Sequence, residues 1–114
     1  MKFELTNTIS DALLITLSGE FDALGTVSIR KTLEETASSE EHQHIVIDLS
    51  RVIFIDSSGI GAIVFLFKRL RQKQRTLEIT GVQGQPRELF ELLRIHKAIP
   101  TSWLVSTDIA CGGK

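Results

Sequence analysis

The chain has 114 residues, 42% hydrophobic and 24% charged, one domain's worth of ordinary globular composition, which excludes wholesale disorder. Thirteen Lys+Arg against fourteen Asp+Glu leave a net charge of -1, without the basic excess of a typical nucleic-acid binder. The single cysteine, Cys111, excludes an intramolecular disulfide and a Cys-rich zinc module, and the longest run free of polar residues, Gly59 to Phe67, falls far short of the roughly 20 that span a bilayer.

The N-terminal Met1-Lys2-Phe3-Glu4 carries acid early and has no signal-type apolar core, so a soluble cytoplasmic protein is expected. Phe3, Leu5 and Ile9 alternate ahead of the strand-like run Leu13–Leu17, which Ser18-Gly19 should end. Together they read as an antiparallel hairpin turning between Asn7 and Asp11. From Gly25 to Ala37, Val27, Ile29 and Leu33 recur among charged residues as on a surface helix. Ile45-Val46-Ile47-Asp48-Leu49 is β-branched and nearly continuous, the pattern of a strand covered on both faces; Val52–Ile55 extends it after an interruption at Ser50-Arg51.

Ile60, Ile63, Val64, Phe67 and Leu70 then fall at helical spacing, a stripe of about four turns. Phe65 and Leu66 lie off that stripe and are expected in the core. Lys68, Arg69, Arg71, Lys73 and Arg75 follow as a solvated basic helix end. Thr76–Thr80 alternates as a half-buried strand, Pro86 opens a short helix through Leu89, Phe90, Leu92 and Leu93, and Trp103-Leu104-Val105 reads as a last strand. Strands alternating with helices define an α/β domain with a partly parallel sheet.

The chemistry-bearing stretch is Asp56-Ser57-Ser58-Gly59-Ile60-Gly61, where the buried strand hands over to the long helix. Asp and Ser there are natural caps, accepting the orphan N–H bonds of a first turn. The same position suits a phosphate, which would meet free N–H groups and the positive end of the helix dipole. Gly59 and Gly61 are poor helix-interior residues, each costing about 1 kcal/mol against Ala, but they let another surface approach the backbone. Local physics leaves capping and phosphorylation both open.

The stretch IVIDLSRVIFIDSSGIGAIV resembles the central signature of the STAS domain as found in bacterial anti-sigma factor antagonists. The likeness extends upstream to LSGEFDALGTVSIRKTL and downstream through LEITGV and PRELFELLRI. It implies an α/β STAS-like single domain over residues 1–110, with a mixed central sheet of four to five strands and about four helices, followed by a flexible tail at 111–114. It further implies that Ser57 is the phosphoacceptor of a partner that is both an anti-sigma factor and a serine kinase of the histidine-kinase-like ATPase type. The unphosphorylated form would capture this partner, and a PP2C-type phosphatase would reset the switch. Asp22, Asp56, Ser57, Ser58, Gly59 and Gly61 would form the partner-binding surface, Ser58 in a capping role.

Two stretches depart from the family pattern. Leu92–Lys97 stands where many relatives have a Gly-Leu step, so a differently built loop is expected; Ser106–Lys114 starts the family's last helix but is too short to complete it. The resemblance implies a monomer with no cofactor, no catalytic residue, and no direct nucleic-acid or membrane contact. The alternative is a STAS subunit or scaffold of a transport or signalling assembly that binds without phosphorylation.

His42 and His44 can face the same way, but no third metal ligand stands at suitable spacing, and His96 reads as a solvated or capping residue. No glycine fingerprint of a nucleotide site and no Gly-x-Ser-x-Gly elbow is present around the motif.

Overall fold

The computed structural model describes residues 1–104. Strands β1 (Lys2–Asn7) and β2 (Leu13–Phe21) form the expected antiparallel hairpin, Lys2 opposite Ser18 and Asn7 opposite Leu13. Thr8 closes its turn: the hydroxyl accepts from the Ala12 N–H at 2.9 Å, while Asp11 adopts a left-handed conformation at φ 63°. Helix α1 (Ala23–Ser38) leads to β3 (His44–Ile55), α2 (Ser57–Gln72) to β4 (Thr76–Thr80), and the short helices α3 (Gly84–Leu92) and α4 (Ile95–Ala98) follow. The sheet order is β1-β2-β3-β4, with β2, β3 and β4 parallel. Among the described residues this makes a mixed sheet of four strands with four helices, within the expected architecture.

Burial drives the arrangement. Ile45, Val46 and Ile47 are all buried, as their continuous run requires of a strand covered on both faces. Helices α1 and α2 pack side by side over the sheet, and their buried residues Ile29, Leu33, Ile60, Ile63, Leu66 and Leu70 join Ile15, Leu17, Phe21 and Ile47 in one core.

Several expectations shift in detail. Strand β2 does not stop at Ser18-Gly19 but continues to Phe21, because register shifts around Ser18 and Gly19 keep it paired with β3. Likewise β3 runs unbroken through Ser50-Arg51. On α2, Leu66 is fully buried and Phe67 only partly, and Phe65 is exposed rather than in the core, with Arg69 over its ring at 5.4 Å. On α1, Val27 faces solvent. A helix with one face on a sheet and a flank on another helix buries a stripe rotated from the one its apolar spacing suggests.

The last strand is not formed at Trp103-Leu104. Thr101 alone bridges to Ile79, and the Trp103 ring instead lies under Arg87 at 4.6 Å and beside His96 at 5.6 Å. His96 is therefore half-buried against an aromatic ring, not solvated. Val105, Cys111 and the tail at 111–114 lie outside the described residues. Arg75 is no part of a solvated basic end: only 7% exposed, its guanidinium donates to the carbonyls of Thr36, Ala37 and His42, closing the C-terminal end of α1. Within Leu92–Lys97, α3 ends at Leu92 and α4 begins at Ile95, and Arg94 between them adopts a left-handed conformation, φ 57°.

Candidate functional site

Strands β2 and β3 end side by side, Phe21 opposite Ile55, and each enters its helix through the same four-residue device. Asp22-Ala23-Leu24-Gly25 opens α1; Asp56-Ser57-Ser58-Gly59 opens α2. Both aspartates are N-caps with extended backbones. Asp22 Oδ1 accepts from the Gly25 N–H at 2.9 Å, and Asp56 Oδ1 accepts from Ser58 at 2.9 Å and Gly59 at 3.3 Å. Both glycines are buried against backbone: a Cβ on Gly25 would lie 2.4 Å from the Glu20 carbonyl oxygen, and one on Gly59 2.4 Å from that of Phe21.

The capping role expected of Ser58 thus belongs to Asp56. Ser58 is the second residue of the helix, where its own N–H needs an acceptor, and its half-buried side chain lines a groove instead. Ser57 is the first residue of α2 and is exposed, at the positive end of a 16-residue helix whose first turn holds no acidic side chain. Asp56 immediately before it and Asp22 at the neighbouring helix start make this end of the molecule acidic. Gly61 is exposed and has nothing within 4 Å of where a Cβ would stand, so the α2 backbone is open to an incoming surface there. Gly59 faces inward, and its contribution is to hold the Asp56-Ser57 turn against β2.

Three features of this end were not read from the sequence. Leu24 is 81% exposed, Ile53 69% and Phe54 40%, so apolar surface surrounds the handover from β3 to α2. Ile53 and Phe54 look like core in a β-branched run, yet β4 pairs with β3 only as far as Asp48 and leaves them uncovered. A groove of about 550 Å³ runs between α1 and α2, lined by Ala23, Val27, Arg30, Ser58, Gly61 and Phe65 among others. Finally, Gln85 completes the end of β3. Its side-chain amide accepts from the Ile55 N–H and donates to the Ile55 carbonyl, both at 2.9 Å, as a neighbouring strand would.

The histidines stand apart from this site. His42 Nε2 pairs with Asn7 Oδ1 at 2.8 Å, and His44 contacts Thr76 and, at 3.2 Å, Glu78. Among the described residues no group of three or more His, Cys, Asp or Glu is placed to hold a metal ion, and no helix is long and apolar enough to cross a membrane.

The STAS domain family profile matches residues 5–107. The chain is 33% identical over 99 residues to the anti-sigma-B factor antagonist of Listeria monocytogenes, covering 87% of this chain and 86% of that protein. It is 30% identical over 88 residues to the anti-sigma F factor antagonist of Paenibacillus polymyxa, covering 77% and 75%. Among solved structures, the Bacillus cell fate determinant SpoIIAA in its phosphorylated form superposes with a TM-score of 0.70 at 20% identity, over 88% of this chain and 90% of that one, a likeness of fold. With its signature at the β3–α2 junction and the profile matched over almost its whole length, the chain belongs to the STAS domain family.

Proposed function

We propose that this protein is a partner-switching regulator of the anti-sigma factor antagonist kind. Its unphosphorylated form binds an anti-sigma factor that is also a serine kinase of the histidine-kinase-like ATPase type, phosphorylation of Ser57 releases that partner, and a PP2C-type phosphatase resets the switch. The observation that carries this reading is the position of Ser57, an exposed hydroxyl at the start of α2 on an end of the sheet that also exposes Leu24, Ile53 and Phe54. Apolar surface gives a protein partner something to bury, and the serine gives a kinase something to modify.

The physics of release is electrostatic. A phosphoserine carries about -1.5 to -2 charges at pH 7. Within the domain that charge meets a favourable helix dipole and the opposing charge of Asp56; in a docked interface it adds to the acidic surface of Asp56 and Asp22 that the partner must cover, and its desolvation is uncompensated. The switch acts on the interface and leaves the fold alone. Relatives named as anti-sigma factor antagonists support the choice of partner class.

The test incubates the protein with ATP and each serine kinase of this type encoded in its source genome, and maps phosphate by mass spectrometry. Phosphate on Ser57, absent in Ser57→Ala, with partner affinity lowered at least tenfold by Ser57→Asp, supports the switch. A partner that binds wild type and Ser57→Asp equally, with no kinase modifying Ser57, sinks it and leaves the permanent-subunit alternative standing.

A further inference from the structure

We propose that β1 is a dimerisation strand, pairing antiparallel with β1 of a second copy of this chain in a register centred on Phe3. The proposal is independent of Ser57 and its partner.

The sheet has one open side among the described residues. The outer side of β4 is engaged, since Ile79 accepts from the Ser102 N–H at 2.8 Å and donates to Pro100 O at 2.9 Å. Strand β1 is the opposite edge, and all six of its residues are exposed. Its backbone orientation follows from the ladder. Thr8 N–H donates to Ala12 O at 2.9 Å, continuing the β1–β2 register, so Thr8 and Ala12 form a hydrogen-bonded pair. Such pairs alternate in an antiparallel ladder, so Lys2, Glu4 and Thr6 aim their backbone groups at β2. Phe3, Leu5 and Asn7 aim theirs outward, as a template for another strand.

Side chains then select the occupant and the register. Phe3 lies opposite Leu17 and Leu5 opposite Ile15, so both sit at the rim of the helix-covered face, 37% and 50% exposed. Three two-fold registers set an outward-aimed Phe3 or Leu5 opposite Phe3 or Leu5 of the other copy. Centring on Glu4 sets two carboxylates directly opposite each other in the closer, non-hydrogen-bonded position, which is repulsive. Centring on Leu5 places Glu4 against Thr6 and Lys2 against Thr8, with no charge paired. Centring on Phe3 pairs Lys2 of each copy with Glu4 of the other, sets Phe3 across from Phe3 and places Met1 across from Leu5. Only this register satisfies every charge on the strand and matches apolar with apolar; a strand of these residues is self-complementary. Met1 is already packed against the core, which holds the start of the strand in place. Because the paired strands run in opposite directions, the two Ser57 ends would point away from each other, and each copy could bind its own partner.

Sedimentation equilibrium of the full chain at low salt, over a wide concentration range, provides the test, with circular dichroism confirming that each variant folds. Wild type should show a monomer–dimer equilibrium. Lys2→Glu and Glu4→Lys, each setting like charges opposite, should weaken it about tenfold or more, and the double exchange Lys2→Glu/Glu4→Lys should restore it. Phe3→Pro removes an outward donor not used within the chain and should abolish the dimer with the fold intact. A wild type that stays monomeric throughout overturns the proposal and leaves the edge for a strand of a different protein. Dimerisation unchanged in the single variants, or unrestored in the double exchange, overturns it by placing the contact elsewhere or in another register.

Discussion

The carbonyl oxygen of Phe21 stands where a side chain on residue 59 would go: a Cβ on Gly59 would be 2.4 Å from it, and 2.7 Å from Ile55 Cγ1. Strand β2 therefore touches the first turn of α2 directly, and the Asp56 N–H adds a hydrogen bond to the same oxygen at 3.4 Å. The exposed position of Ser57 follows from this contact. With Gly59 pressed onto β2 and Asp56 turned back to cap the helix, Ser57 is left facing outward while Ser58 turns toward the α1–α2 groove.

Gly59→Ala should therefore destabilise the domain by about 2 kcal/mol, the overpacking cost exceeding the gain in helix propensity. Gly61→Ala, two residues on and with nothing nearby, should stabilise it by about 0.5–1 kcal/mol. Urea denaturation of the two variants checks the contrast; equal shifts in midpoint would show that the Phe21 contact is not what selects glycine at 59.

Arg75→Ala should cost about 3 kcal/mol, because it leaves the carbonyls of Thr36, Ala37 and His42 without their shared donor in a buried place. Burial lowers the Arg75 pKa, with the Glu40 carboxylate opposing the shift, yet a guanidinium stays protonated in proteins. Arg75→Lys keeps the charge but loses the planar fork, so most of the loss should remain. Thermal unfolding of the two variants decides: full rescue by lysine would show that charge, not geometry, closes the end of α1.

Gln85→Ala should cost about 1–2 kcal/mol and speed amide exchange at Ile55 more than at Ile45 or Ile47, whose strand neighbours are intact. Hydrogen exchange followed by NMR reads this directly. If Ile55 exchanges no faster, the glutamine is not acting as the missing strand.

What was legible in the sequence is what is local. Ile45–Leu49 announces a covered strand, and Asp56-Ser57-Ser58 announces a helix start within four residues of chain. The roles of Arg75 and Gln85 are not local: their partners lie 39 and 30 residues earlier, and a charged or amide side chain gives no periodic signal of the carbonyl it will meet. Phe65 and Leu66 show the same limit at short range. Adjacent and both apolar, they are separated only by where α1 and the sheet lie around α2. Val27 and Ile53 look like core by type and are exposed because of which strands and helices stop short of them.

Arg94→Gly should stabilise the domain by about 0.5–1 kcal/mol. A side chain in the left-handed region is strained, whereas glycine at φ 57° is not, and part of this gain is offset by glycine's larger entropy when unfolded. Arg94→Asn should give a smaller gain in the same direction. Midpoints in urea for both variants give the check, and a loss of stability in the glycine variant would mean that the Arg94 side chain contributes more than its backbone costs.

Phosphorylation of Ser57 should separate stability from binding. The phosphate would stand at the first residue of α2, where a negative charge gains about 0.3–1 kcal/mol from the helix dipole and loses a similar amount to the adjacent Asp56 carboxylate. The phosphorylated domain should therefore unfold within about 0.5 kcal/mol of the unmodified one, while its affinity for the partner falls at least tenfold. Asp56→Asn removes the neighbouring charge but keeps an oxygen to cap the helix, so it should raise the stability of the phosphorylated form relative to the unmodified form. Calorimetric melts of the four species, with partner titrations of each, test the mechanism. A large loss of stability on phosphorylation would mean that release works by distorting the start of α2, and repulsion at an intact surface would no longer account for it.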